Sequence, residues 1–596
     1  DGVVVGCHIG LRQDGSTVGA NGVGISMDGD GYYLGGTTAA TRNVISGNLT
    51  FGIQIGANGT DNRVWGSYIG TDAAGIIARP NGQAGIQIGG SGNVIGDVTA
   101  NRRNVISGNG LAGVQLDGSA NQVLGNYIGL GPDGLAPLGN ADGVLLYGNG
   151  NVIGSGSGGG NIISANTGKG IYARFLDGIT IVGNRIGTSA NGGIKRGNGT
   201  EGVYLGSVLN AVIGGELAAQ GNVISGNGGG IYAAGASGIV RNNLIGLAAD
   251  GVASIGNAGD GITVYDSVLD IGTNSAGNII AGNGRDGISA KSGTLSIRGN
   301  RIGTDASGTQ ARANLTGIGI GGATVVVSQN LISGNTQTGI AINSLTANAE
   351  IIDNRIGTDA VGNAKIGNGD GGSSGIRVVR AAPGLVIGAP GHGNQISGNY
   401  RGITLDDGTA DILVQGNNIG LNAAQNAKLG NTETGLLMGG TNHQIGGIAS
   451  GAGNVISGNG SPAMSIGDGG GHHIEGNLIG TNAALATGLG NGTGIVNFTA
   501  NDMVIGGTAA GAGNVITGST DIGLQLIGGQ GNALLGNRVY DNDDYNIDIV
   551  PNAGPNLNDT LDVDQGPNKG QNYPEITSAM INGQNLQMAG KLRSRA

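Results

Sequence analysis

The sequence predicts an all-β fold: a right-handed, single-stranded parallel β-helix, a solenoid of about 19 coils. Three observations carry that expectation. Of 596 residues, 132 are Gly and 65 are Asn, while aromatic residues make up 3% and charged residues 11%, which is not the composition of an ordinary globular enzyme. Hydrophobic residues nevertheless reach 38% and Pro only 10, and the Ile, Val and Leu are regularly spaced, as they are not in a solvated Gly-rich linker. Finally, a short motif returns at a fixed long period.

The box Asn-Val-Ile-Ser-Gly-Asn starts at Asn43, Asn104, Asn222 and Asn454, with variants at Asn161, Asn278, Asn330, Asn394 and Asn514. A second box, Gly-Asn-x-Ile-Gly-Thr/Leu, falls between them, as at Gly125, Gly183, Gly299, Gly416 and Gly476. Each long unit of about 60 residues therefore holds two related coils. The finer repeat is Gly-Ile-x-Ile, first seen at Ile25, Ile53, Ile86 and Val114 and last at Leu524 and Ile547, about 29 residues apart. Within each coil apolar residues alternate at period two, separated by Gly, Asn, Asp and Ser, the signature of short strands.

Such strands cannot close a core singly. Stacked coil on coil at about 4.8 Å they pair in parallel and bury an aliphatic column, which for about 19 coils predicts a rod on the order of 90 Å. The Gly before each Ile is expected at positive φ, and the repeated Asn is expected to form an amide ladder along the axis. A leucine-rich repeat, a propeller and a calcium-binding nonapeptide roll each demand a pattern the sequence lacks. The expected organisation is a β-helix over 1–550, an Asp-rich closing segment over 551–574, and a hairpin over 575–596 turning at Asn582-Gly583, the start of a further module or a tail on the last coil.

The alternation of Asn-Val-Ile-Ser-Gly-Asn, Gly-Asn-x-Ile-Gly-Thr-Asp-Ala and Asn-x-Ile-Gly-Gly resembles the right-handed parallel β-helix repeats of large secreted bacterial surface proteins in the pectate-lyase-like superfamily. Ile547-Asp548-Ile549, Asn558-Asp559, Asp562, Asp564, Gly566-Pro567-Asn568 and Gln571-Asn572-Tyr573-Pro574 are similar to the stretch that closes such arrays. The resemblance implies an extracellular or cell-surface location and little chemistry.

A net charge of −11, from 28 basic and 39 acidic residues, argues against binding nucleic acid, which needs clustered Lys and Arg. No run of about 18 apolar residues exists for membrane insertion. Asp1 in place of an initiator Met suggests a processed chain, and the lone Cys7 leaves the redox compartment open.

The outward position of each Gly-Ile-x-Ile strand is where a polymer would lie. From Ser26, Gln54, Gln87 and Gln115 to Val496, Gln525 and Asp548 this row is almost uncharged, so most of it lacks the paired carboxylates of a glycosidase. Two places depart from this. Tyr172, Tyr204 and Tyr232 fall on consecutive coils, where they are a platform for sugar rings or a ladder that stabilises the sheet. Arg377, Arg380, Arg401, Asp406 and Asp407 gather on neighbouring coils as a small polar catalytic candidate; the simpler reading is exposed ion pairs. Asp541, Asp543, Asp544 and Asp548, with Asp559, Asp562 and Asp564, crowd oxygen ligands that calcium would suit, the simpler reading being a polar cap. No other cofactor is indicated. His472-His473 is read as a solvated turn, and Asp72, Asp305 and Asp359 as caps of their own loops.

Three function classes follow: a secreted structural or adhesive rod, a polysaccharide lyase, epimerase or hydrolase, and a non-catalytic carbohydrate-binding module. The bland outward row favours the first and a non-enzymatic role. Expected partners are a surface polysaccharide or the chain itself, joined head to tail into a filament through unpaired terminal strands.

Overall fold

The computed structural model describes residues 2–343, 349–369, 371–380, 384–550, 566–570, 575–582 and 585–591. Among them there is no α-helix, only short 3₁₀ turns between short strands. Three parallel sheets of 19 strands each account for nearly all the pairing. The first coil supplies Val3–Val4 to one sheet, His8–Ile9 to the second and Ile25–Met27 to the third, and later coils repeat that order. The fold is a right-handed parallel β-helix of about 19 coils, with the handedness that strand crossovers obey.

The chain forms two compact units, Asp1–Thr336 and Gln337–Ala596. In the first, the third sheet pairs Ile25 with Ile53, Ile53 with Ile86 and onward in unbroken register to Ile318. In the second, the same register runs from Ile340 through Ile376, Ile403 and Leu436 to Ile547. Period-two alternation sends one set of side chains inward. Ile186, Ile224 and Ile245 of the second sheet are fully buried neighbours in such a stack, each contributing roughly 1.5–3 kcal/mol of hydrophobic burial. Tyr68 and Tyr127 are the only aromatics among the buried apolar residues described.

The glycine before each Ile is not at positive φ, which corrects the expectation above. At Gly85 an added Cβ would lie 2.8 Å from Asn109 Nδ2 and 3.0 Å from Ile106 Cγ2; the position is glycine because the coil interior has no room for a side chain. Positive φ occurs after the strand instead, as at Gly70 with φ +94°, where the chain turns sharply.

The asparagines form ladders. From Asn104 through Asn126, Asn161, Asn184 and Asn222 to Asn330, each Nδ2 donates to the next coil's Oδ1 at 2.9–3.0 Å. A second ladder runs from Asn21 to Asn335 at 2.8–3.1 Å. Both recur in the second unit, from Asn354 to Asn537 and from Asn368 to Asn491. Asn222 shows the economy of the arrangement. Its Oδ1 accepts both the backbone N–H and Nδ2 of Asn184, and its Nδ2 also reaches the Ile181 carbonyl at 2.8 Å. Asn222→Ala would leave several buried polar groups unpaired, and a loss of roughly 3 kcal/mol in urea unfolding is expected.

Asp72, Asp305 and Asp359 each accept two backbone N–H groups four and five residues ahead, so they cap their loops as expected. Pro567–Gly570 forms a 3₁₀ turn in which Asn568 Oδ1 accepts the Asn532 N–H. Glu575–Asn582 and Asn585–Lys591 pair antiparallel as a hairpin that exposes Ile576, Met580, Ile581 and Met588.

Candidate functional site

The outward row of the third sheet emerges in the order the repeat implies. In the first unit Ser26, Gln54, Gln87, Gln115, Leu145, Tyr172, Tyr204 and Tyr232 are successive register partners. The Tyr172 and Tyr204 rings lie 5.2 Å apart, and Tyr204 and Tyr232 stack at 5.1 Å with only 6° between their planes. Tyr265, which pairs with Ala234 rather than with the tyrosine row, leans back to 5.7 Å from Tyr232 and lengthens the row. Burial, then the neighbouring Tyr204 and Tyr265, pushes the Tyr232 hydroxyl pKa above its ordinary value. On the other side, Tyr172 packs with Phe51 against Leu145, Ala84 and Ala112. The result is an apolar and aromatic lane along one face, half exposed at the three tyrosines.

A second row runs beside the lane, and the sequence reading missed it. Each of its members precedes the invariantly placed Gly of a coil: Asp142, Lys169, Glu201, Asp260 and Asp286. Lys169 Nζ lies 5.4 and 5.2 Å from the Tyr172 and Tyr204 ring centres and 3.9 Å from Glu201 Oε2. Asp260 accepts the Thr263 hydroxyl at 2.9 Å and the Asp286 N–H at 3.1 Å. Burial first and the Asp260 charge second push the Asp286 carboxyl pKa up. Gly229 is the register partner of Glu201, and its missing side chain opens a pocket of about 210 Å³ among Glu201, Tyr232, Asp260 and Arg285. The signal in the sequence is a charged residue before Gly-Ile or Gly-Val, outside the outward position of the strand itself.

In the second unit, Arg377, Arg380, Asp406 and Asp407 do meet around one cleft of about 530 Å³. Arg377 grips Asp406 with Nη2 and Nε at 2.9 and 3.1 Å from Oδ2, while Arg380 and Asp407 border the same space beside Leu437 and Met438. Arg401 is elsewhere, paired with Glu433. Of the acidic stretch, Asp541, Asp543 and Asp544 are exposed on a turn, while Asp548 is buried and accepts Gln525 Nε2 at 3.2 Å. Asp559, Asp562 and Asp564 lie outside the described residues. Among the described residues no three His, Cys, Asp or Glu side chains come together to hold a metal ion.

His472 is not in a solvated turn. It is fully buried, stacked at 5.1 Å on the equally buried His443 of the preceding coil, and only His473 is exposed. Both imidazoles stand where Asn62, Asn93 and Asn121 form a third amide ladder in early coils, just before the first-sheet strand. His443 Nδ1 accepts the Ile412 N–H and His472 Nδ1 the His443 N–H, both at 3.2 Å.

No family model matches the chain, and no curated protein matches it. Among solved structures, the A-module of the Azotobacter vinelandii mannuronan C-5 epimerase AlgE6 is similar at 13% identity, over 88% of this chain and 92% of that one, with a TM-score of 0.18. The A-module of the AlgE4 epimerase from the same organism is 14% identical, over 87% and 90%, with a TM-score of 0.14. Neither likeness carries an argument about chemistry; the fold rests on the strand register.

Proposed function

We propose that the chain is an extracellular or cell-surface adhesive β-helix that binds a polysaccharide along the third-sheet face of its first unit. The observation that carries this reading is the aromatic lane of Tyr172, Tyr204 and Tyr232 with a charged row beside it. Sugar hydroxyls hydrogen-bond to carboxylates and phenol hydroxyls, and the outward edges of the stacked rings give sugar C–H groups an apolar strip to pack on, so the two rows offer both in parallel. Consecutive coils at about 4.8 Å repeat the contact along a polymer.

A glycan array followed by calorimetry tests the reading. Tyr204→Ala is expected to weaken binding of the array's best ligand by about tenfold, close to 1.4 kcal/mol, with little change in thermal unfolding. Unchanged affinity with lowered stability would mean a purely structural ladder. A polysaccharide-processing role is the second reading, favoured by the Gly229 pocket, where Glu201 and Asp260 flank one empty coil and stand two coil spacings, about 10 Å, apart along the backbone. Assaying the same glycans for reducing ends and unsaturated products separates binding from turnover.

A further inference from the structure

The second-sheet face of the first unit carries a cleft of a different character from those above. Tyr127, Ile162 and Arg185 are successive register partners on its outward row, and a cleft of about 400 Å³ opens over them. Tyr127 and Ile162 form a nearly buried apolar floor. At one end Arg103 lies with its guanidinium carbon 4.2 Å over the Tyr127 ring, held by the Gly125 carbonyl and the Tyr127 hydroxyl, each at 2.9 Å. At the other end Arg185 Nη1 donates to the Ala190 carbonyl at 3.0 Å, and its buried Nε has no hydrogen-bond partner. One wall is bare backbone, Gly158–Gly160. A Cβ at Gly159 would sit 2.5 Å from Val98 Cα, so only glycine lets the wall close this tightly.

The charge here runs against the chain as a whole. In a molecule of net charge −11, this cleft is lined by two arginines and no carboxylate. The acids nearest its rim in sequence are already engaged: Asp97 with Arg102 at 3.1 Å and Glu216 with Arg241. The third-sheet pocket, by contrast, sets Glu201 and Asp260 against Arg285, and the Arg377 cleft sets two arginines against two aspartates. Two guanidiniums that line one cleft and are already held by hydrogen bonds favour an anion, because they lose little freedom on binding. The volume is of the size that takes a small ring rather than a bare ion.

We propose that this cleft binds the oxyanion, a carboxylate or a sulfate, of an acidic sugar residue, whose ring lies along the glycine wall above the apolar floor. The site is separate from the tyrosine lane and stands without it. Calorimetry with an oligouronate, a sulfated oligosaccharide and inorganic sulfate tests it at low and high salt. At least one acidic saccharide is expected to bind, with affinity falling as salt rises. Arg185→Gln should weaken it by about tenfold, and Ala219→Glu, which places a carboxylate at the exposed rim, should abolish it with thermal unfolding unchanged. Arg12→Gln, which removes an exposed arginine of the first coil outside both sites, should leave it intact. Which saccharide binds distinguishes uronate from sulfate ester, and competition by inorganic sulfate would show that the anion itself is recognised. No binding of any probe, or equal binding by both cleft variants, would overturn the proposal.

Discussion

Ile224→Asp is expected to lower the unfolding free energy by about 4 kcal/mol or more and to open the coils around it. Ile224 is fully buried between Ile186 and Ile245 in the second sheet, and an added Cβ on Gly202 would lie 2.7 Å from its Cγ2. A carboxylate there loses its water and gains no partner, since the surrounding column is aliphatic. Burial of an unpaired charge belongs to the small class of substitutions with effects this large. Because each coil pairs only with its neighbours, the damage should begin locally. Hydrogen exchange should show lost protection in the coils carrying Ile186, Ile224 and Ile245 before distant ones. Wild-type urea unfolding would remove Ile224 from the core.

The architecture was legible because it depends on period. Gly-Ile-x-Ile fixes which residues point inward and which neighbour they meet, so Tyr172, Tyr204 and Tyr232 fell into register as the spacing implied. The Arg377 cleft was legible in part for the same reason; Arg401 was misplaced because it belongs to the row before Gly402, where Glu433 of the next coil meets it. What escaped was set by the coil next door. Gly85 is glycine because of Asn109 and Ile106, neither of which is near it in sequence. His443 and His472 look like turn residues because their ladder position is filled by Ile179, Ala211, Leu385 and Ile412 elsewhere, so no local pattern announces an Asn site. The anion cleft was hidden likewise, since Arg103 and Arg185 are brought together only by stacking.

Acid should destabilise the second unit through those two histidines. Burial first depresses both, the His472 imidazole further by the neighbouring His443 and His473, and each pKa falls from 6.5 to about 4. The hydrogen bonds require this neutral form. Nδ1 of each ring accepts a backbone N–H, and His443 Nε2 is left to donate to the Gly439 carbonyl at 3.0 Å. A proton on Nδ1 would meet an N–H head on, and two imidazoliums would face each other at 5.1 Å. Above pH 6.5 folded and unfolded chains are both neutral at these sites and the contribution to stability is complete. Between pH 6.5 and about 4 the unfolded chain takes up protons that the folded one refuses, so stability falls by about 3 kcal/mol per ring; below about 4 the loss is finished. Replacing both by Asn, the residue that serves the same position at Asn93 and Asn121, removes the titration and keeps an acceptor for the Ile412 N–H. Urea unfolding at pH 7 and at pH 4.5 is expected to show a markedly smaller loss in the His443→Asn, His472→Asn variant than in the wild type. Equal losses in both would place the acid sensitivity in other groups.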